Sequence, residues 1–542
     1  MIRALAVASL LLLAEAPRSA SDAPRALALA EEELARARSL ADERRLTEET
    51  GAPAAEIERK LEAARARVAA ALDDVAAAGL AGEDRRAFDL VRAALDGDLA
   101  AKKAAEPLPA APRPGDDCAA PAAAFLATHD EAALRARTYR CYGDAARSIA
   151  FEGETLDRLT VLARMAAEPD PARRRVLFDA LRPLFRSVDG DGGESSPFRL
   201  LALATARRWA SEGSPVDARA RALGVEPAAF ESWLDRFLTA WRSLLPERTE
   251  PWDYAFLAGA AERELAPALP RERLAVLARD FYRGAGADLD RLRVHFDLEP
   301  RPGKTPVAFT DFGARRRVEE GTFRPTEPWI FATYRVGGFD NFVELLHESG
   351  HAIHIAAIDT RPAFLDWPDN DAFTEALADV PALEAYEPDW QRRALGRSVP
   401  LADSIRAKYA GIALDALWAL FEIRLYRDPS HEPNVLWSDL AERYLGIVRH
   451  PEVAWWARRG QLIDAPGYMA NYALGAFVAA DVRARIAARR GEAWSADPSW
   501  YAWFAGEVYR YGLERTSRRV LEDFLGRPLA PDAVLADLAR AR

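Results

Sequence analysis

The sequence predicts a mainly α-helical protein with one small β-sheet, and three observations carry that prediction. Apolar residues recur at three- and four-residue spacing along most of the 542 residues, the period of a helix with one buried face. Gly and Pro cut these runs into short helices and so argue against one continuous coiled coil. Only around VAFTDFG and WIFATYRV do β-branched and aromatic residues gather, which places a sheet between residues 307 and 336.

In chain order, the opening MIRALAVASLLLLAEAPRSASDA has an early Arg3, an apolar run over residues 4–14 and small residues after it. This is the pattern of a secretory signal, assigned to residues 1–20, with export to the periplasm or exterior as its consequence. The run is short for a membrane span, and no later stretch offers about 18 uninterrupted apolar residues, so stable membrane insertion is not expected. LALAEEELARARSL and IERKLEAARARVAAAL then read as amphipathic helices, broken at Gly51, Pro53, Gly79 and Gly82. With the Pro-rich EPLPAAPRPGDD they form an N-terminal segment and connector, 21–117; residues 118–542 form the main helical region, which can make one unit with it.

Cys118 and Cys141 are the only cysteines, and an oxidising compartment would allow them to pair if their Cβ atoms face each other. SVDGDGGESS, residues 187–196, lacks an acid at the twelfth position of a calcium loop and reads as surface loop. Half of the residues are hydrophobic and 29% charged, ordinary globular usage. A net charge of -11 argues against nucleic acid as the main partner, because phosphate binding needs a clustered basic surface.

The chemistry concentrates in FDNFVELLHESGHAIHIAAI, where His347-Glu348-Ser349-Gly350-His351 has the HExxH pattern. On a helix His347, His351 and His354 fall within about sixty degrees of one another, while Phe342, Leu345, Leu346 and Ile353 gather on the far side. Residues four apart are neighbours, so two imidazoles can meet one zinc ion and Glu348 can take a proton from activated water. A third ligand from HExxHxxGxxH is excluded, since His354 and Ala357 stand where Gly and His would be needed. A carboxylate on a later helix is the remaining route, and DAFTEALADVPALEAY offers Glu375 as the third ligand, with Asp379 one turn on to orient a ligating His. Glu384 is the nearest substitute, but lacks a partner acid one turn on. Pro381 should end this helix soon after Asp379. His354 is read as a residue behind the metal or on the substrate side, since a fourth protein ligand would close the site.

These residues resemble two related zinc-peptidase families, the thimet-type oligopeptidases and the angiotensin-converting-enzyme group. HESGHAIH is similar to HEFGHxxH, FDLEPRPGK to FDLYPRxGK and EALADV to EAIGDV, within a stretch from about Trp252 to Gly475. The resemblance implies a bilobal helical metallopeptidase with a deep central channel admitting short peptides, one zinc ion, and cleavage of the oligopeptidase or peptidyl-dipeptidase type. GYMANYALG is similar to GGYxAxYY, so Tyr468 and Tyr472 match the tyrosines that donate to the oxyanion. The position of a third tyrosine in that family's segment falls near Gly475 here, and Gln461, Leu462, Ile463 and Asp464 stand where both families carry a substrate-contacting His. His450 lies too far back to replace it. WIFATYRV is expected to form an edge strand that pairs with substrate backbone. The missing His also motivates an alternative, a zinc-containing protein that captures peptides with little or no catalysis.

Overall fold

The structure, a computed structural model, describes residues 23–75, 77–104, 118, 120–301, 304, 307–319 and 321–542. The signal assigned to residues 1–20 and the connector at 106–117 lie outside them. Helices dominate and the strands are short, in agreement with the predicted fold class. The chain resolves into two compact units, one of residues 1–107, 313–325 and 360–365 and one of residues 108–312, 326–359 and 366–542.

The first unit is built on α1 (Ala23–Thr50), α2 (Ala55–Asp73) and α3 (Gly82–Ala104). The breaks fall at the predicted glycines, and Gly51 and Gly82 both take positive φ, which side chains disfavour. Leu27, Leu34, Leu61, Val68, Phe88 and Val91 supply a buried apolar seam. Charged residues lock the two later segments onto it. Arg361 donates to the buried Glu31 at 2.6 Å and to Asp84 at 2.8 Å, and Arg315 donates to Asp42 at 2.8 Å. A buried carboxylate is tolerable only when paired in this way.

In the second unit Cys118 and Cys141 are joined by a disulfide, with Cα atoms 5.8 Å apart. The loop at 187–196 is not purely surface: Asp189 turns inward and accepts from Ser196 and Asn434. The core centres on the helix Leu401–Arg427, which is buried on nearly all sides. Trp418 stacks on Trp437 at 5.4 Å, and Phe198 meets Trp456 at 4.3 Å, so aromatic pairs fill much of its surroundings.

In chain order the strands are β1 (Ile149–Phe151), β2 (Glu154–Leu156), β3 (His295–Asp297), β4 (Phe309–Ala314), β5 (Arg317–Glu319), β6 (Thr322–Arg324) and β7 (Glu327–Phe331). β1 and β2 pair as one hairpin and β5 and β6 as another, while the remaining three form a sheet in the order β3-β7-β4. The sheet is wider than its expected span, because β3 precedes residue 307 and pairs in parallel with β7. This corrects one expectation. WIFATYRV begins in β7, which is the central strand, so its backbone groups are taken by neighbours on both sides and it is not an edge for substrate. FDLEPRPGK explains the added strand: Lys304 donates to the carbonyls of Asp297, Glu299 and Ala332 and to the Asp297 carboxylate, which Arg301 grips with two bonds. Burial works against that charge, yet the two cations hold the Asp297 carboxyl below its ordinary range.

Candidate metal centre

The HExxH segment lies in the helix Phe339–Ala357, whose buried face includes Phe342, Leu345, Leu346 and Ile353 as the spacing predicted. The helix Asp371–Ala382 packs beside it, with Asn370 accepting from the Phe373 N–H as a cap. Pro381 sits in its last turn, and a 3₁₀ turn from Leu383 to Tyr386 follows. Gly350 sets the approach of the two helices. A Cβ there would stand 2.4 Å from the Ala378 carbonyl oxygen, so only glycine permits this spacing.

The close approach brings His347, His351 and Glu375 together, with one potential ligand atom from each inside a 4.8 Å span. His347 Nε2 lies 3.4 Å from Glu375 Oε2, and the two imidazole rings stand edge to face at 4.7 Å. His347 Nδ1 meets Asp379 Oδ1 at 2.7 Å, so Asp379 takes the outer ring nitrogen and leaves Nε2 for a cation. Burial opposes charge on His347, but Asp379 and Glu375 hold its pKa well above the ordinary value. Burial, reinforced by His347, brings His351 down to about 3, which keeps a neutral imidazole with a lone pair to give. Two imidazoles and a carboxylate are a donor set suited to zinc, and His347, His351 and Glu375 are the residues that would hold it.

Glu348 is buried beside this cluster. The Thr310 hydroxyl, on β4, lies 2.6 Å from Glu348 Oε2 and 2.9 Å from the Glu348 carbonyl, fixing the carboxylate's direction. Burial pushes the Glu348 carboxyl up to about 7, with Glu375 and Glu344 adding repulsion. Such a group can both accept and return a proton near neutral pH. Thr310 was not foreseen, because the bond joins a strand to a helix 38 residues later and no linear motif records it.

His354 stays outside the ligand cluster. It is 1% exposed, stacks on Tyr509 at 4.8 Å, and lies 6.0 Å from Trp367, which also meets the His351 ring edge-on. Glu384, the substitute ligand, is engaged by Arg483 at 3.0 Å. Tyr468 and Tyr472 stand 5.7 Å apart, half-buried, with no hydroxyl hydrogen bond among the described residues. Burial raises both, Tyr468 to about 12 and Tyr472 also above its ordinary value, and the Glu375 carboxylate adds to each, so both phenols remain protonated donors. The missing His is real in the fold: Gln461–Asp464 is a short helix with Leu462 and Ile463 buried. His450 is held between Glu250 and Glu452 at 2.9 and 2.8 Å.

The helices that carry these two imidazoles, the carboxylate and the adjacent buried acid belong to a mainly helical fold that solved peptidases share. Among solved structures, the chain is similar to the M32 carboxypeptidase from Deinococcus radiodurans R1, with 17% identity, a TM-score of 0.58 and coverage of 95% of this chain and 98% of that one. It is also similar to Trypanosoma cruzi metallocarboxypeptidase 1, at 14% identity and a TM-score of 0.51 over 96% and 99% of the two chains. PZ peptidase A with an inhibitor gives 14% and 0.54 over 97% and 98%. At these identities the likeness establishes the fold. No protein-family model matches the sequence, and none of the curated proteins does.

Proposed function

We propose that this chain is a zinc metallopeptidase that hydrolyses peptide bonds in short peptides. The observation that carries the reading is the convergence of His347, His351 and Glu375, with Asp379 behind His347 and Glu348 buried alongside. Its fold being shared with carboxypeptidases and PZ peptidase A supports the substrate class. When bound, zinc supplies Lewis acidity, which makes water a stronger acid and polarises a peptide carbonyl. Glu348 accepts the proton of the attacking water and delivers it to the leaving amine, with Thr310 holding its carboxylate in place. Asp379 fixes the tautomer and orientation of His347. Tyr468 and Tyr472 offer hydroxyl donors for the developing oxyanion. Trp367 and Tyr509 wall in His351 and His354.

The alternative of peptide capture without efficient cleavage rests on one observation, the absence of a histidine from Gln461–Asp464. Incubating the protein with a mixed short-peptide library, with and without chelator, and reading products by mass spectrometry separates the two. Hydrolysis abolished by chelator is the expected result. Glu348→Gln should retain zinc and lose roughly 10²–10⁴-fold in turnover, whereas Glu375→Ala should lose zinc itself. Full activity in the first variant, or unchanged zinc stoichiometry in the second, would remove the assigned roles.

We further propose export, supported by the signal pattern of residues 1–20 and by a disulfide, which persists in oxidising compartments. Expression with the native leader should give a processed N-terminus near residue 20 outside the cytoplasm; an intact Met1 on intracellular protein would contradict it. No helix among the described residues is long and apolar enough to cross a membrane.

A further inference from the structure

A cavity of about 890 Å³ opens at the C-terminal end of the helix that carries Glu375 and Asp379, and none of the three candidate metal ligands lines it. Alanine accounts for its size. Ala480, Ala484, Ala487 and Ala488 line it from the helix Met469–Arg490, and Ala533 and Ala536 line it from the helix Asp532–Ala539. Residues three and four apart share a helix face, so each of these packed helices turns a strip of methyl groups toward the space, and methyl groups alone do not fill it.

Charges of both signs are set into its walls. Arg483 donates to the Val380 carbonyl at 2.5 Å and to Glu384 at 3.0 Å, which ties the cavity to the last turn of the helix Asp371–Ala382. Lys408, with 5% of its side chain exposed, donates to Asp537 at 2.5 Å. An ammonium has three donors, and the other two of Lys408 have no partner among the described residues. Burial, with Arg483 adding repulsion, holds this ammonium below its ordinary pKa range although Asp537 favours the charge. Arg393, on the helix Pro388–Leu395, and Glu492, just past the helix Met469–Arg490, also line the cavity. Both are exposed, and neither makes a hydrogen bond or ion pair with any described residue. One cation and one carboxylate, from separate elements, therefore border the same space unanswered, together with a buried ammonium that has donors to spare.

A ligand that answers both charges carries an ammonium and a carboxylate at its two ends, and a carbonyl between them would use the spare donors of Lys408. The volume is within the range of small-molecule sites, roughly 300–1,000 Å³, and exceeds what a single amino acid fills. We propose that this cavity, separate from the metal pocket, binds a short peptide with both termini free, its carboxylate held by Arg393, its ammonium by Glu492 and a backbone carbonyl by Lys408, with small side chains against the alanine strips. Peptides of this kind are what the hydrolysis proposed above would release, and only their origin as products rests on that reading.

Binding is measured apart from turnover. Tri-alanine, its N-acetyl derivative, its C-terminal amide and free alanine are titrated calorimetrically into the zinc-loaded full chain carrying Glu348→Gln, with mass spectrometry to verify that the peptides stay intact. Tri-alanine should bind about 10- to 100-fold more tightly than either blocked peptide. Adding Arg393→Gln should abolish the preference over the amide, and adding Glu492→Gln the preference over the acetylated peptide; both side chains are exposed, so both variants are expected to fold. Ala484→Trp fills the cavity from an exposed position and should abolish tri-alanine binding, while in the parent background it leaves hydrolysis unchanged. Tri-alanine bound as tightly by Ala484→Trp would lie elsewhere, in the metal pocket for one, and would overturn the site. Equal binding of the three peptides, or binding of none, overturns it as well. Alanine bound as tightly as tri-alanine identifies a free amino acid as the occupant and overturns the assignment to a peptide. Cavity-dependent binding in a chain whose parent cleaves no peptide would remove the peptidase reading and leave this site standing, whereas hydrolysis without such binding removes this site alone.

Discussion

Glu422 shows how much a single buried atom can set. Its Oε1 accepts from the Gly467 N–H at 2.7 Å and the Tyr426 hydroxyl at 2.9 Å, whereas Oε2 is buried without a partner. The first of these bonds secures the turn immediately before Tyr468. Burial pushes the Glu422 carboxyl up to about 7, against an unfolded value near 4.5. Above pH 7 the folded protein carries the full cost of the buried charge; as pH falls from 7 toward 4.5 the folded state takes up a proton that the unfolded state does not, so this group's contribution to stability rises as pH falls. Glu422→Gln removes that titration. Relative to the variant, the parent should gain on the order of 2–3 kcal/mol between pH 8 and pH 4.5, measured by denaturant unfolding of both proteins at each pH. Parallel curves would show that Glu422 is not protonated in this window. At this scale the sequence was readable where chemistry is local: His347, Glu348 and His351 occupy one turn of helix, and Glu375 and Asp379 another. Thr310 was not readable, because it meets Glu348 only through tertiary packing.

Between elements, the approach of the HExxH helix to the helix Asp371–Ala382 decides whether Glu375 can share a cation with the imidazoles. Gly350 sits at the contact, and its missing side chain faces backbone, which cannot swing away as a flexible side chain would. Gly350→Ala gains about 1 kcal/mol of helix propensity but must push the neighbouring backbone outward, with an overpacking cost of about 1–3 kcal/mol. The variant should be less stable in chelator and should bind zinc at least about tenfold more weakly, as read by competition with a chromophoric chelator. A variant as stable as the parent with unchanged zinc affinity would mean that the helices do not pack this tightly. The pattern HExxH specifies the ligands' spacing but not the glycine's duty, which becomes visible only when the second helix is in place. The same limit explains β7. Its apolar, aromatic run announces a strand, yet strand order depends on which segments flank it, and FDLEPRPGK held the missing neighbour.

Over the whole molecule, the helical class was legible because periodicity and glycine breaks are properties of short windows, while the grouping of residues 313–325 and 360–365 with the N-terminal helices was not. Those segments join it through Arg315 and Arg361, whose partners Asp42 and Glu31 lie some three hundred residues away. The disulfide is a constraint of much shorter reach, closing 23 residues of chain between Cys118 and Cys141. Loop closure of that size stabilises by about 3 kcal/mol. Cys118→Ser should therefore lower unfolding stability by that order, and a reductant should destabilise the parent but not the variant. Insensitivity of the parent to reductant would show that the bond contributes nothing.

Lys304 has its ammonium protons committed to carbonyls and to Asp297, with none of its side chain exposed. An amine so enclosed is withheld from acylating reagents for as long as the sheet beside the HExxH helix stays closed. Its rate of labelling, followed by peptide mapping, is thus a native clock for the opening of that sheet and requires no foreign probe.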